Sequence, residues 1–210
     1  MEVDHPKIGV VGVGHLGQHH VKHLTEMKYI SFRGIYDKDR AKAKKIASTY
    51  KTKSFDSLKE LINECDGLTI VTPTADHYNT ALQCIQKGKH VFIEKPISDS
   101  VESADILLRE AAKNAVIIQV GHIERLNPAL LSIKNYELDP KFIEIQRLSP
   151  YTSRGTDVPV VLDLMIHDID ILLCFVDSKV KSVAATGLSI MTDSVAVSYT
   201  HLTLPTNREV

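Results

Sequence analysis

The stretch Val161–Asp170, VLDLMIHDID, sets three aspartates and a histidine into an apolar run. If residues 160–175 are helical, Asp163, His167 and Asp170 fall at i, i+4 and i+7 and share one polar stripe. Leu162, Met165, Ile166, Ile169, Leu172 and Leu173 then cover the opposite, buried side, with Asp168 off the stripe. An imidazole can take up a proton near neutral pH, so a histidine on such a stripe is a candidate general base.

A second constellation lies near the N-terminus. Gly12, Gly14 and Gly17 form G-x-G-x-x-G after the apolar run KIGVV and open the segment HLGQHHVKHL. Glycine serves there first for a tight turn, then to let backbone approach a pyrophosphate, then for close helix-strand packing. Free N–H groups at the helix start favour the anion. Asp37 closes the next apolar run at the spacing at which a carboxylate accepts hydrogen bonds from an adenosine ribose. Its charge favours NAD over NADP, although Lys38 and Arg40 could turn toward a 2'-phosphate, so NADP stays open. His19, His20 and His23 lack the carboxylate of a H-E-x-x-H site and read as helix-surface or packing residues. No metal site is expected.

The elements that must position these groups follow from the hydrophobic rhythm. Residues 7–11, 30–36, 67–72, 90–94 and 116–121 have the nearly continuous apolar character of strands covered on both faces. Between them lie helical patterns, with Ser57 and Glu60 able to form a capping box and Gly88 and Asn114 placed as helix stops. Alternating strands and helices imply an α/β fold, a doubly wound parallel Rossmann sheet. In such a sheet ligands bind beyond the carboxyl ends of the strands, so Lys95, after VFIE, projects toward the cofactor. Pro96 fixes the backbone there and is a candidate for the cis form.

After residue 122 the rhythm changes. A helical segment (127–137), a strand (142–149), the long helix (160–175) and a strand (180–190) indicate a second, partial α+β domain with an open, mainly antiparallel sheet. The expected division is 1–122 for dinucleotide binding, 123–195 for substrate and oligomer contacts, and 196–210 as a tail. The tail, AVSYTHLTLPTNREV, resembles translated adapter read-through and is expected to be non-native, the alternative being a Thr-rich strand and loop.

The totals exclude several classes. The 210 residues carry a net charge of -1, which leaves no bulk electrostatic footprint for nucleic acid or an anionic membrane. Cys65, Cys84 and Cys174 form no C-x-x-C pair and are expected to be buried, small apolar groups. No apolar run approaches the roughly 20 residues that span a bilayer, and the acidic N-terminus is unlike a signal peptide. A cytoplasmic protein is expected.

G-V-G-H-L-G, T-P-T-x-x-H (Thr72 to His77), E-K-P, G-H-I-E-R-L-N-P (Gly121 to Pro128) and D-x-x-x-H-x-x-D follow in this order. The series resembles the glucose-fructose oxidoreductase, inositol dehydrogenase and MocA family from residue 7 to about 190. The resemblance implies an NAD(P)-dependent oxidoreductase that moves a hydride to or from a secondary alcohol carbon of a sugar, nucleotide sugar or cyclitol. It implies a cofactor site of Gly12, Gly14, His15, Leu16, Gly17, Asp37, Thr72, Pro73, Thr74, His77, Glu94 and Lys95. By position, His167 is the base beside the nicotinamide, Asp163 contacts substrate or orients the imidazole, and Lys95 stabilises the alkoxide. His122, Arg125, Asn127 and Arg154, with Asp163 and His167, are the substrate candidates, and the G-H-I-E-R-x-N-P block resembles relatives acting on UDP-N-acetylhexosamines. Surface ion pairs are the alternative for the arginines. Met165 stands where many relatives have glycine. Relatives are longer, so the chain is expected to stop within the second domain, with homo-oligomerisation a property of the full length. The alternative function is a dinucleotide-binding regulator or redox sensor without turnover, or an inactive fragment.

Overall fold

The computed structural model describes residues 5–146 and 160–186, together with the backbone of 202–205. The chain divides into two units, Met1–Gly121 and His122–Val210.

The first unit is built on five parallel strands: β1 (Lys7–Val11), β2 (Ser31–Tyr36), β3 (Gly67–Ile70), β4 (His90–Ile93) and β5 (Ile118–Val120). Their spatial order is β2-β1-β3-β4-β5, so the direction of winding reverses between β1 and β3. This is the crevice where open α/β sheets bind ligands. The helices are α1 (Gly17–Glu26), α2 (Arg40–Thr49), α3 (Leu58–Glu64), α4 (Thr74–Gln86) and α5 (Val101–Lys113). All five strands and helices lie where the apolar rhythm predicts them.

Both sheet faces are covered. Successive residues of a strand point to opposite faces, and the neighbours Val10 and Val11 enter separate apolar clusters. Val11 joins Leu61, Leu68, Ile70, Ile85, Ile93 and Leu107 on the side of α3, α4 and α5, whereas Val10 joins Val13, Val21, Ile35 and Ala47 on the side of α1 and α2. Burying each large aliphatic side chain contributes about 1.5–3 kcal/mol, which fixes the strand ends carrying polar groups. Burial also pushes the Cys65 and Cys84 thiols up to about 12, so both remain neutral packing groups. Cys174 departs from the expectation and is exposed, because it lies on the side of its helix opposite Leu172.

Helix ends follow local chemistry. Asp39, Ser57 and Ser100 cap α2, α3 and α5 by accepting from the backbone N–H of Lys42, Glu60 and Ser103. Gly88 takes the left-handed conformation after α4. After α5, Asn114 is the cap but Ala115 is the residue with positive φ.

In the second unit a 3₁₀ turn (Ile123–Leu126) leads into α6 (Pro128–Ile133), where Asn127 accepts from Ala129 N–H. Strand β6 (Phe142–Ile145) pairs antiparallel with β7 (Leu202–Pro205). Residues 180–186, expected as a strand, have no regular structure, and 187–190 lie outside the described residues. Of the expected tail only β7 is described. Residues 147–149 and Arg154 also lie outside the described residues.

The long helix is observed with two corrections. Val161–Met165 is a π-helical turn, and regular α7 begins only at Ile166 and runs to Phe175. The wider turn carries Asp163 and Met165, so the i, i+4, i+7 stripe drawn on a regular helix does not apply across it. Of the apolar side expected to be buried, only Leu172 is fully so. Asp168, Asp170 and Leu172 are 4%, 7% and 5% exposed, whereas Leu173 is 54% exposed. Hydrophobic periodicity fails here because a paired carboxylate can be buried when its partner supplies the donors that water would.

Candidate active site

The glycine turn follows β1. Gly12 has φ +87°, and a Cβ there would lie 2.6 Å from the Val71 carbonyl oxygen, so backbone from the ends of β1 and β3 is in direct apposition. A Cβ on Gly17 would collide with the Gly12 carbonyl oxygen. Gly14 differs: a Cβ would meet nothing within 4 Å. The first and third glycines are therefore required by the fold, while the second leaves open space against the backbone.

No side chain caps α1 or α4, the two helices that start at the winding reversal. Their starts lack the side-chain oxygens that Asp39, Ser57 and Ser100 provide elsewhere, although Gln18, His19 and Asp76 N–H donate to backbone carbonyl oxygens. Beside them, Thr72 Oγ1 is buried without a hydrogen-bond partner among the described residues. Open space at Gly14, uncapped helix starts and a buried hydroxyl needing a partner together fit a dinucleotide pyrophosphate. His15 and Leu16 are exposed on the same turn, and the His15 ring packs edge-on against His19.

Asp37 follows β2 beside the turn. Its Oδ2 accepts from Val13 N–H at 2.8 Å and its Oδ1 from Asp39 N–H at 2.8 Å. The carboxylate thereby holds the glycine turn and keeps lone pairs for further donors. Lys38 Nζ donates to Asp76 Oδ1 at 2.6 Å, and this bond holds its ammonium above the ordinary value. An Arg40 guanidinium nitrogen lies 3.4 Å from the Asp56 carbonyl oxygen. Both cations weighed as phosphate ligands have partners in the protein.

The loops after β3 and β4 are tied together by His77. Its ring is buried, with Nδ1 2.7 Å from Pro96 O and Nε2 2.9 Å from Thr72 O. Both nitrogens are thus occupied by main chain, which makes His77 a clamp on Thr72–Thr74 and Glu94–Pro96. Pro73 is exposed and Thr74 half-buried at the start of α4. The Lys95–Pro96 bond is cis.

His20, expected as a helix-surface or packing residue, lies beside the Phe92 ring and also has a carboxylate partner. Its Nε2 lies 3.0 Å from Glu94 Oε1, and Glu94 Oε2 accepts from Lys95 N–H at 3.3 Å. Gly121 packs against the same carboxylate, where a Cβ would sit 3.0 Å from Oε2. Expecting a packing histidine overlooked that Glu94, ending an apolar strand, would need a donor.

Lys95 belongs to the first unit, and Asp163 and His167 to the second. Within the second unit, Arg125 forms a two-point ion pair with Asp170, Nε to Oδ2 at 2.7 Å and an amino nitrogen to Oδ1 at 2.5 Å. His122 Nδ1 is 3.7 Å from Asp170 Oδ1. Burial works to raise the Asp170 carboxyl, but the Arg125 hydrogen bonds, with His122, Arg125 and His167 nearby, outweigh it and hold it below the ordinary range. Arg125 thus forms the ion pair weighed as the alternative to a substrate contact. Asn127, another substrate candidate, caps α6 and donates to Glu124 at 3.3 Å.

The model of the Gfo/Idh/MocA family, described as an oxidoreductase family with an NAD-binding Rossmann fold, matches residues 6–122. The chain belongs to this family. UDP-N-acetylglucosamine 3-dehydrogenase of Acidithiobacillus ferrooxidans is 33% identical over 201 residues, covering 95% of this chain and 64% of that protein. A solved structure of that enzyme superposes with a TM-score of 0.84 at 33% identity, covering 91% of this chain and 63% of the other. Inositol 2-dehydrogenase of Rhodococcus erythropolis is 28% identical over 191 residues, 84% of this chain and 54% of its own. The chain therefore spans under two thirds of the length of these family members. Membership accounts for the glycine turn and the parallel sheet together, and among the described residues no helix is long and apolar enough to cross a membrane.

Proposed function

We propose that the protein binds NAD in preference to NADP and transfers a hydride between the nicotinamide and a secondary alcohol carbon of a sugar, nucleotide sugar or cyclitol. The observation that carries this reading is the cradle at the β1/β3 reversal, where the backbone of Gly14 faces open space beside the unpartnered Thr72 hydroxyl. Among substrates a nucleotide sugar is preferred, because the relative named for UDP-N-acetylglucosamine aligns with 95% of this chain. A homo-oligomer of the full-length protein belongs to the same proposal and rests on the family resemblance.

A bound nicotinamide supplies the hydride acceptor. The chain's own groups manage the proton and the developing charge. His167 takes the hydroxyl proton, which general-base assistance makes worth about 100- to 10,000-fold. Asp163 orients the imidazole, and the Lys95 ammonium stabilises negative charge on the substrate oxygen. Asp37 accepts from the adenosine ribose, and the α1 start receives the pyrophosphate. These roles are supported by the position of each residue in the family motifs.

The test is to follow NADH absorbance while the full chain is offered NAD with UDP-N-acetylglucosamine, inositols and hexoses. Alcohol-dependent NADH formation is expected, and Lys95→Met should lower it about 100-fold or more while NAD affinity stays within a few-fold. NADH binding with no turnover on any alcohol would favour the sensor reading. Absence of dinucleotide binding would end both.

A further inference from the structure

The ribose end of the proposed dinucleotide site contains a device that the motifs do not describe. Lys38 immediately follows Asp37, the acid expected to accept from the adenosine ribose. A flexible ammonium at that position is the natural recruit for a 2'-phosphate, since lysine binds phosphate as a mobile point charge. In this fold Lys38 Nζ instead donates to Asp76 Oδ1 at 2.6 Å, across from the loop after β2 to the first turn of α4.

The surroundings reinforce the effect. Asp37 keeps its place through the Val13 and Asp39 N–H groups, so it does not need Lys38 as a counter-ion. Arg40 is directed to the Asp56 carbonyl oxygen. Lys38 is therefore engaged by Asp76 and Arg40 by the Asp56 carbonyl oxygen, so a dianionic 2'-phosphate would find both nearby cations already partnered. We propose that Asp76 is a specificity-determining residue, which holds Lys38 away from the ribose and so biases the site toward NAD over NADP. The inference rests on the proposed dinucleotide site and adds a residue to it.

The bias is a tuning effect. The Lys38 side chain is 73% exposed, and exposed ion pairs shift equilibria by only a few-fold. Asp76 could alternatively serve only the α4 dipole, being an acid in its first turn. That role would change stability without changing cofactor choice, and it would not depend on Lys38.

The experiment measures dissociation constants of NADH and NADPH by cofactor fluorescence with the full chain, which has no tryptophan to interfere. Asp76→Asn is expected to shift the NADPH-to-NADH affinity ratio about five-fold toward NADPH. Lys38→Met in the Asp76→Asn background is expected to abolish that shift. An unchanged ratio in Asp76→Asn, with NADH binding intact, overturns the Asp76 role alone. A shift that persists in the double variant also overturns it, because the effect would not pass through Lys38. A wild-type chain that binds neither nucleotide overturns the dinucleotide site and this inference together.

Discussion

His20 and Glu94, 74 positions apart, meet with Nε2 3.0 Å from Oε1. The contact joins the first turn of α1, directly behind the glycine turn, to the residue preceding Lys95. Glu94 is only 8% exposed, so losing a donor leaves a largely desolvated carboxylate. His20→Ala should therefore destabilise the chain by about 1–3 kcal/mol. Glu94→Gln, which relieves the charge and keeps an acceptor, should cost less. Urea unfolding midpoints check both, and an unchanged midpoint for His20→Ala would mean that the pair contributes nothing.

The three glycines of the turn should separate by what they serve. Gly17→Ala drives a methyl group into the Gly12 carbonyl oxygen and should cost at least about 2 kcal/mol of stability. Gly14→Ala meets no atom within 4 Å and should leave stability within about 0.5 kcal/mol. It should still weaken NADH binding about ten-fold or more by filling the space a pyrophosphate needs. Thermal melts alongside NADH titrations test the contrast, which fails if Gly14→Ala binds NADH as well as wild type.

His77→Leu removes the two ring nitrogens that lie against the Pro96 and Thr72 carbonyl oxygens, and with them the N–H that donates there. A cost of about 2–3 kcal/mol is expected, since buried acceptors are left unsatisfied. NADH affinity should fall as well, because both loops of the proposed site lose their common anchor. Near-wild-type melting would show that the clamp has little energetic weight.

Acid titration should report on the Asp170–Arg125 pair. The folded-state carboxyl lies below its ordinary value, so its contribution is present above about pH 4 and is lost as pH falls through the lowered value. Asp170→Asn should cost about 1–2 kcal/mol at pH 7, discounted because Arg125 is half-exposed. The difference from wild type should shrink toward zero as pH falls below the lowered value. A difference independent of pH would remove the ion pair as its cause.

Much of the first unit was legible because its signals are short-range. Continuous apolar runs marked the strands, Ser57 with Glu60 marked a helix start, and glycine spacing marked the turn. The second unit was less legible. Its long helix has an amphipathic pattern, but the side that is buried carries Asp168 and Asp170, and its first turn is π-helical. Periodicity weighs side chains by polarity alone and cannot register that Arg125, in another element, supplies donors to Asp170. The same blindness hid the partners that Arg125, Asn127 and His20 find in the fold.

By itself, the sequence determined which segments become strands and helices and where backbone must turn without a side chain, since these depend on neighbours within a few residues. Tertiary structure alone decided how charges are matched: His20 with Glu94, Arg125 with Asp170, Lys38 with Asp76, across 74, 45 and 38 positions. A charged group takes whatever partner the packing brings within about 3 Å, and that choice is made only once the elements have docked.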